Sequence, residues 1–229
     1  MPRPYFDIQQ SGEQADIYIF GDITSWKTEP NETSAYSLVQ QLQNLGNVAE
    51  INMHIDSYGG SISEGWAIYN ALQTNKARVT SYADGFVASA AIYPFLAGQE
   101  RIASNVSAFY FHPASNIAAG YAEDLRTAAD ELDQLTEIGL GAFTNTGMSE
   151  QDARELVNSK SWYAPAAMLE KGIATSIRKA EDSPGVSQSV KKLIMQQLII
   201  PPKQQEPPAK PQEPTPPVKL SLMQMLCNI

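Results

Sequence analysis

Apolar and polar positions along the first three-quarters of the chain follow two alternating periods. Short runs of β-forming residues that end at glycine or a polar turn predict strands, and apolar residues recurring every three to four positions predict helices. The predicted strands cover residues 15–20, 48–55, 78–83 and 107–112, with a short extended piece at 101–102. The predicted helices cover residues 35–45, 61–72, 89–96 and 121–143, and two more begin near Ser149 and Pro165. This alternation predicts an α/β domain with a mainly parallel sheet and right-handed crossover helices.

The helix predicted over residues 121–143 is the longest. Its apolar residues recur at helical spacing, and its acidic residues lie largely at the other positions, which indicates a solvated face. Start and stop signals bound the shorter helices: residues 61–64 and 149–152 form capping patterns, and Gly172 is a stop signal.

The composition changes after about Lys179, which predicts an appendage to a larger domain of residues 1–180. Residues 181–200 are predicted to form a helical extension. Residues 201–217 contain eight prolines and predict an extended polyproline spacer, while residues 218–229 predict a short amphipathic peptide or a frayed terminus.

Charge and cysteine content exclude several classes of protein. With a net charge of −9 and no basic stripe, a nucleic-acid partner is not expected. The single cysteine, Cys227, excludes an intrachain disulfide, and the two histidines lie far apart in a sequence without a zinc motif. Neither a signal-peptide core at the N-terminus nor an apolar run long enough for a bilayer is present, so we expect no metal, no cofactor, no membrane and a soluble cytoplasmic protein.

Three parts of the chain together suit acyl transfer. Ser89 lies among small apolar residues after a predicted strand, His112 ends another strand, and the pair Gly59-Gly60 follows a third. A nucleophile, a base and a glycine N–H donor are the parts that this chemistry requires. Each also has a structural alternative: an N-cap for Ser89, a histidine satisfied at a strand end for His112, and an ordinary turn for the glycines. We interpret His54 as structural because the strand pleat directs its ring away from the nearby Ser57.

These segments resemble a known family. Blocks at residues 55–62, 85–90, 111–113 and 172–174 resemble, in order, the blocks of the Clp protease proteolytic subunit, ClpP. The resemblance runs from about Ile17 to about Ile177, and residues 17–23 and 161–163 are similar to the phage branch, the ClpP-like prohead (head maturation) proteases.

The resemblance implies a ClpP/crotonase-like fold with a projecting long helix that pairs rings of subunits. It implies that Ser89 is the nucleophile, that His112 is the general base, and that the N–H groups of Gly60 and Ala90 form the oxyanion hole. Protein or peptide substrates and homo-oligomeric rings are the partners that it implies.

The third catalytic position departs from the family pattern. The phage branch places an acidic residue two positions before the aromatic matched by Trp162, and Lys160 stands there in this chain. A lysine cannot accept a hydrogen bond from His112. Asn158 or Asp152 could substitute if the loop shifts, and the position is left unassigned.

Three interpretations follow. The first is a serine endopeptidase that cleaves phage capsid or scaffold proteins during head maturation in the host cytoplasm, with residues 218–229 as a possible docking peptide. The second is a catalytically inactive ClpP-like assembly subunit, motivated by Lys160. The third, a crotonase-type acyl-CoA enzyme, explains the pairing of Ser89 with His112 poorly.

Overall fold

A computed structural model of the protein describes residues 6–25, 32–44 and 48–179. Its strands are β1 Phe6–Ser11, β2 Gln14–Ile23, β3 Glu32–Thr33, β4 Glu50–Gly60, β5 Arg78–Ala88, β6 Glu100–Ser104, β7 Ala108–Phe111, β8 Ser161–Tyr163 and β9 Ser176–Arg178. Its helices are α1 Ala35–Asn44, α2 Ile62–Gln73, α3 Ile92–Leu96, α4 Ala122–Thr144, α5 Glu150–Asn158 and α6 Pro165–Glu170. The predictions for residues 181–229 lie outside the described residues.

The strands form one mixed sheet in the order β1-β2-β4-β5-β6-β9, with β7 branching from β5. The pairs from β2 to β9 are parallel, whereas β1 pairs antiparallel with β2 and β8 pairs antiparallel with β7. Crossover helices connect the parallel strands, as the alternating pattern predicts. The α/β fold with a mainly parallel sheet is therefore confirmed.

One face of the central strands is buried in the core. Alternate residues of β2, β4 and β5 are fully or almost fully buried, and they include Ile17, Ile19, Met53, Ile55 and Val79. These apolar side chains pack in the same core as residues of α2 and α3. Because the core fixes the strands, it also fixes the positions of the loops at their carboxyl ends.

Two local predictions have different outcomes. The Ser149 signal is correct, since the Ser149 hydroxyl accepts a hydrogen bond from Asp152 N at 3.1 Å. The capping box at Ser61 is wrong: α2 does start after Ser61, but the Ser61 side chain caps nothing. Its backbone N–H donates to Ile23 O at 2.8 Å, so it is not left for the Glu64 carboxylate to accept.

The long helix α4 contributes little to the core of a single subunit. Within it only Gly139, Leu140, Ala142 and Phe143 are buried, all near its carboxyl end. The predicted apolar positions Leu125 and Ile138 are 44% and 64% exposed. The helix thus leaves apolar side chains in solvent.

None of the helices in the described ranges is long and apolar enough to cross a membrane.

Candidate active site

Ser89 lies at a sharp turn between β5 and α3. It begins a short 3-10 turn, Ser89–Ala91, and its φ of +54° is in the left-handed region. A serine pays for that conformation in strain, which is commonly found at functional sites. Ala88, and not Ser89, is the N-cap residue of the turn. The Ser89 hydroxyl is engaged instead with a histidine.

That histidine is His112, the first residue after β7. Strand β5 pairs parallel with β7, and Ala88 lies opposite Tyr110. The segments that follow these two strands therefore leave the sheet side by side. Ser89 Oγ lies 2.7 Å from His112 Nε2. The other ring nitrogen, Nδ1, lies 2.6 Å from Pro113 O. Because a carbonyl can only accept, Nδ1 carries the proton and Nε2 is free to accept the Ser89 proton.

The glycine pair at the end of β4 packs its backbone against the Ser89 turn. Gly59 and Gly60 have φ values of +95° and +138°. A Cβ on Gly59 would lie 2.5 Å from Ala88 O and 2.7 Å from Ala90 N, and one on Gly60 would lie 2.2 Å from Ile23 O. Only glycine fits at both positions, and this close approach brings the end of β4 beside the Ser89 turn.

A cavity of about 400 Å³ opens beside these groups. Gly60, Ser89, Ala90 and His112 line one part of it. The remainder of the lining is largely apolar and includes Ile62, Ile92, Phe111, Leu132, Leu135 and Phe143. Tyr93 also lines it, and burial raises the pKa of this phenol. The cavity can therefore accept an apolar side chain next to the Ser89 hydroxyl.

The structure brings Lys160 next to His112. Strand β8 pairs Ser161 with Phe111, and continuing that antiparallel register by one residue sets Lys160 opposite His112. Lys160 has a φ of +49°, and with His112 and Pro113 it lines a smaller cavity of about 340 Å³. The position at which the family pattern has an acid therefore lies beside His112, and lysine occupies it in this chain.

Neither proposed substitute reaches the His112 ring. Asn158 is the exposed last residue of α5. Asp152, at the other end of that helix, accepts a hydrogen bond from the Ser149 hydroxyl at 2.6 Å. In the part of the chain that the structure describes, the hydrogen bonds of the His112 ring are to Ser89 Oγ and Pro113 O. The sequence could not predict the role of the Pro113 carbonyl, because the direction of a backbone carbonyl depends on the folded conformation.

The second histidine has a separate environment. The His54 ring is stacked between Tyr18 and Tyr82, with ring centroids 4.9 Å and 4.7 Å away, and its Nδ1 lies 2.6 Å from Asp84 Oδ2. Ser57 is buried and donates to Gly21 O at 2.5 Å. No group of side chains suited to a metal ion occurs within the described ranges.

A strand-end serine hydrogen-bonded to a histidine, beside a glycine loop on a mainly parallel α/β sheet, is an arrangement typical of serine-type hydrolases. Comparison of the sequence with known families makes this specific. Residues 16–181 match the family described as Clp protease, and the chain belongs to that family of serine-type peptidases.

Individual relatives agree with this assignment. The chain is 29% identical over 164 residues to the ATP-dependent Clp protease proteolytic subunit 2 of Treponema pallidum, covering 68% of this chain and 82% of the relative. It is 30% identical over 132 residues to the proteolytic subunit 1 of Prochlorococcus marinus, covering 54% and 65%. Among solved structures, a mutant of ClpP1 from Listeria monocytogenes has a TM-score of 0.61 at 22% identity, covering 74% of this chain and 93% of that one, which shows the shared fold.

These relatives are bacterial ClpP subunits. The resemblance to phage head-maturation proteases is a finer assignment than they support. Membership of the Clp protease family favours a peptidase over the crotonase-type interpretation.

Proposed function

We propose that the protein is a serine endopeptidase in which Ser89 is the nucleophile and His112 the general base. The observation that carries this proposal is the 2.7 Å contact between Ser89 Oγ and His112 Nε2, with Nδ1 bonded to a carbonyl. This arrangement leaves the Nε2 lone pair directed at the hydroxyl proton, as base catalysis requires.

The reaction follows from these positions. As Ser89 Oγ attacks the peptide carbonyl, His112 Nε2 takes the hydroxyl proton and later gives it to the leaving amine. The backbone N–H groups of Gly60 and Ala90 are proposed to stabilise the oxyanion. Water, activated by the same imidazole, then hydrolyses the acyl-enzyme and restores Ser89.

The apolar cavity supports a polypeptide substrate with an apolar side chain next to the cleaved bond. The cavity is lined by side chains from α2, α3, α4 and β7, so its shape depends on the whole domain. Among the described residues, no Asp, Glu, Lys or Arg lines this cavity, so a charged side chain in that position would lose hydration without gaining an ion pair. We therefore expect peptides with Leu, Met or Phe before the cleaved bond to be preferred.

Assembly into homo-oligomers is the second part of the proposal. ClpP-like proteins form rings, and α4 exposes the apolar side chains of Leu125 and Ile138. Exposed apolar side chains on a long helix that contributes little to the core are typical of an interface between subunits. We propose that α4 joins subunits in a ring assembly.

The finer proposal concerns the biological substrate. The similarity of residues 17–23 and 161–163 to phage head-maturation proteases supports capsid or scaffold proteins as substrates, in the cytoplasm of a host cell. The proline-rich residues 201–217 support a docking role for the peptide beyond them.

Labelling with a fluorophosphonate probe tests the central proposal. We expect the wild-type protein to be labelled at Ser89 and to hydrolyse a fluorogenic peptide, and Ser89→Ala to do neither while keeping its circular dichroism spectrum. A wild-type protein that is neither labelled nor active would support the alternative, an inactive assembly subunit, which the presence of Lys160 favours.

A further inference from the structure

The peptide unit between Pro113 and Ala114 is hydrogen-bonded at both ends. Its carbonyl oxygen accepts from His112 Nδ1 at 2.6 Å, and its N–H donates to Thr136 Oγ1 at 2.9 Å. The Thr136 hydroxyl in turn donates to Leu132 O, one turn earlier in α4, at 2.8 Å. A continuous series of hydrogen bonds therefore leads from α4 to the His112 ring.

Because a peptide unit is planar, the direction of the Ala114 N–H group determines the direction of the Pro113 carbonyl. No cis peptide bond occurs in the described ranges, so the N–H of Ala114 and the carbonyl of Pro113 point in opposite directions within one plane. Thr136 has one hydroxyl proton, and Leu132 O accepts it. The lone pairs of Thr136 Oγ1 are thus left for Ala114 N–H, and holding that N–H aims the Pro113 carbonyl at His112.

We propose that Thr136 is a positioning residue for His112, and that the Pro113–Ala114 peptide unit takes the place of the carboxylate missing at Lys160. This inference rests on the proposed role of His112 as the base. The carbonyl keeps the proton on Nδ1 and the lone pair on Nε2, which is one of the two tasks of a triad carboxylate. Donation by Ala114 N–H to Thr136 polarises the same peptide unit and strengthens its oxygen as an acceptor.

The substitution Thr136→Val tests this role, because valine has nearly the same shape and an apolar surface suited to the cavity. It removes the acceptor of Ala114 N–H. We expect kcat for a fluorogenic peptide to fall roughly 3- to 10-fold, the usual effect of one lost hydrogen bond, with KM changed less than about twofold. The matched variant Thr136→Ser keeps the hydroxyl and should retain the wild-type kcat.

A readout independent of catalysis is the protonation of the His112 ring. In protein labelled with ¹⁵N-histidine, we expect a protonated Nδ1 and an unprotonated Nε2 in the wild type and in Thr136→Ser, assigned by the signals lost in His112→Gln. In Thr136→Val the Nδ1 proton should exchange faster with water.

The outcomes separate this inference from the proposed function. If the wild type is active and labelled at Ser89 but Thr136→Val keeps both its kcat and its slow Nδ1 proton, Thr136 is not a positioning residue. An unprotonated Nδ1 in the wild type would overturn the inference even if Thr136→Val failed to fold. A protein with the expected ring protonation but no probe labelling would refute the proposed function and leave the Thr136 contact standing.

Discussion

Replacing Gly59 by alanine should disable the proposed site through one methyl group. The added Cβ would lie 2.7 Å from Ala90 N and 2.8 Å from Ser89 Cβ. Ala90 N–H is one of the two proposed oxyanion donors, so the methyl group would occupy the approach of the substrate oxygen or push the Ser89 turn away. Either result weakens stabilisation of the transition state, in addition to its cost in stability.

A control at Gly147 separates the loss of activity from the stability cost of placing alanine at a positive φ. Gly59 has a φ of +95° and Gly147 a φ of +93°, but a Cβ on Gly147 meets nothing within 4 Å. Alanine at a positive φ costs about 1–3 kcal/mol. For a domain of this size that lowers Tm by between about 2 and 12 °C at either position. The contacts of Gly59 add to this cost, and the loss of an oxyanion donor should lower kcat by about 100- to 1,000-fold.

The assay compares fluorophosphonate labelling rates and peptide turnover in wild type, Gly59→Ala and Gly147→Ala, with thermal unfolding of each. We expect Gly147→Ala to lose stability and keep its activity, and Gly59→Ala to lose both. Equal labelling rates in the two variants would refute the reasoning that the end of β4 supports the oxyanion site.

Three further outcomes are expected. His112→Ala should lose most of the rate of peptide hydrolysis, because alanine cannot accept the Ser89 proton, and an unchanged turnover in this variant would remove His112 from the mechanism. Ile138→Lys should weaken self-association measured by sedimentation, whereas Gln151→Lys, an equal charge change on an exposed part of α5, should not. Removing residues 201–229 should leave peptide turnover unchanged but reduce binding to a capsid or scaffold partner, and unchanged binding would remove the docking role of the tail.

Periodicity alone predicts most of the fold, because the buried strands and helices carry strong apolar patterns. Four short strands are missed for identifiable reasons. Strand β1 reads FDIQQS, which has little apolar alternation, and β3, β8 and β9 have only two or three residues. Such segments become strands because β2, β6 and β7 offer unpaired backbone groups at their edges.

The candidate site also has a part that the sequence predicts and a part that it does not. Ser89 and His112 follow strands whose apolar patterns are evident in the sequence, so their meeting at the sheet edge can be expected. The contact between Pro113 O and His112 Nδ1 cannot be expected from the sequence, since it depends on how one peptide unit is rotated. That rotation is fixed by Thr136, a residue of α4 that lies 22 residues beyond Ala114 in the chain. Side-chain types predict partners poorly when the partner is the backbone.

The last prediction concerns Lys160→Asp, which restores an acid at the position opposite His112. Aspartate tolerates the φ of +49° better than lysine, so the variant should fold at least as well. A carboxylate there can compete with Pro113 O for Nδ1 and stabilise the imidazolium that forms during attack, which a neutral carbonyl does weakly. We therefore expect kcat to rise, by about tenfold or more.

The matched variant Lys160→Asn accommodates the same backbone conformation without the negative charge, so it separates relief of strain from electrostatic help. We expect Lys160→Asn to gain stability but little rate. In the Thr136→Val background, where the carbonyl is no longer held, Lys160→Asp should raise kcat by a larger factor than in the wild type, because the new carboxylate then takes over both tasks. Equal factors in the two backgrounds would show that the carboxylate and the Pro113 carbonyl do not serve the same ring nitrogen.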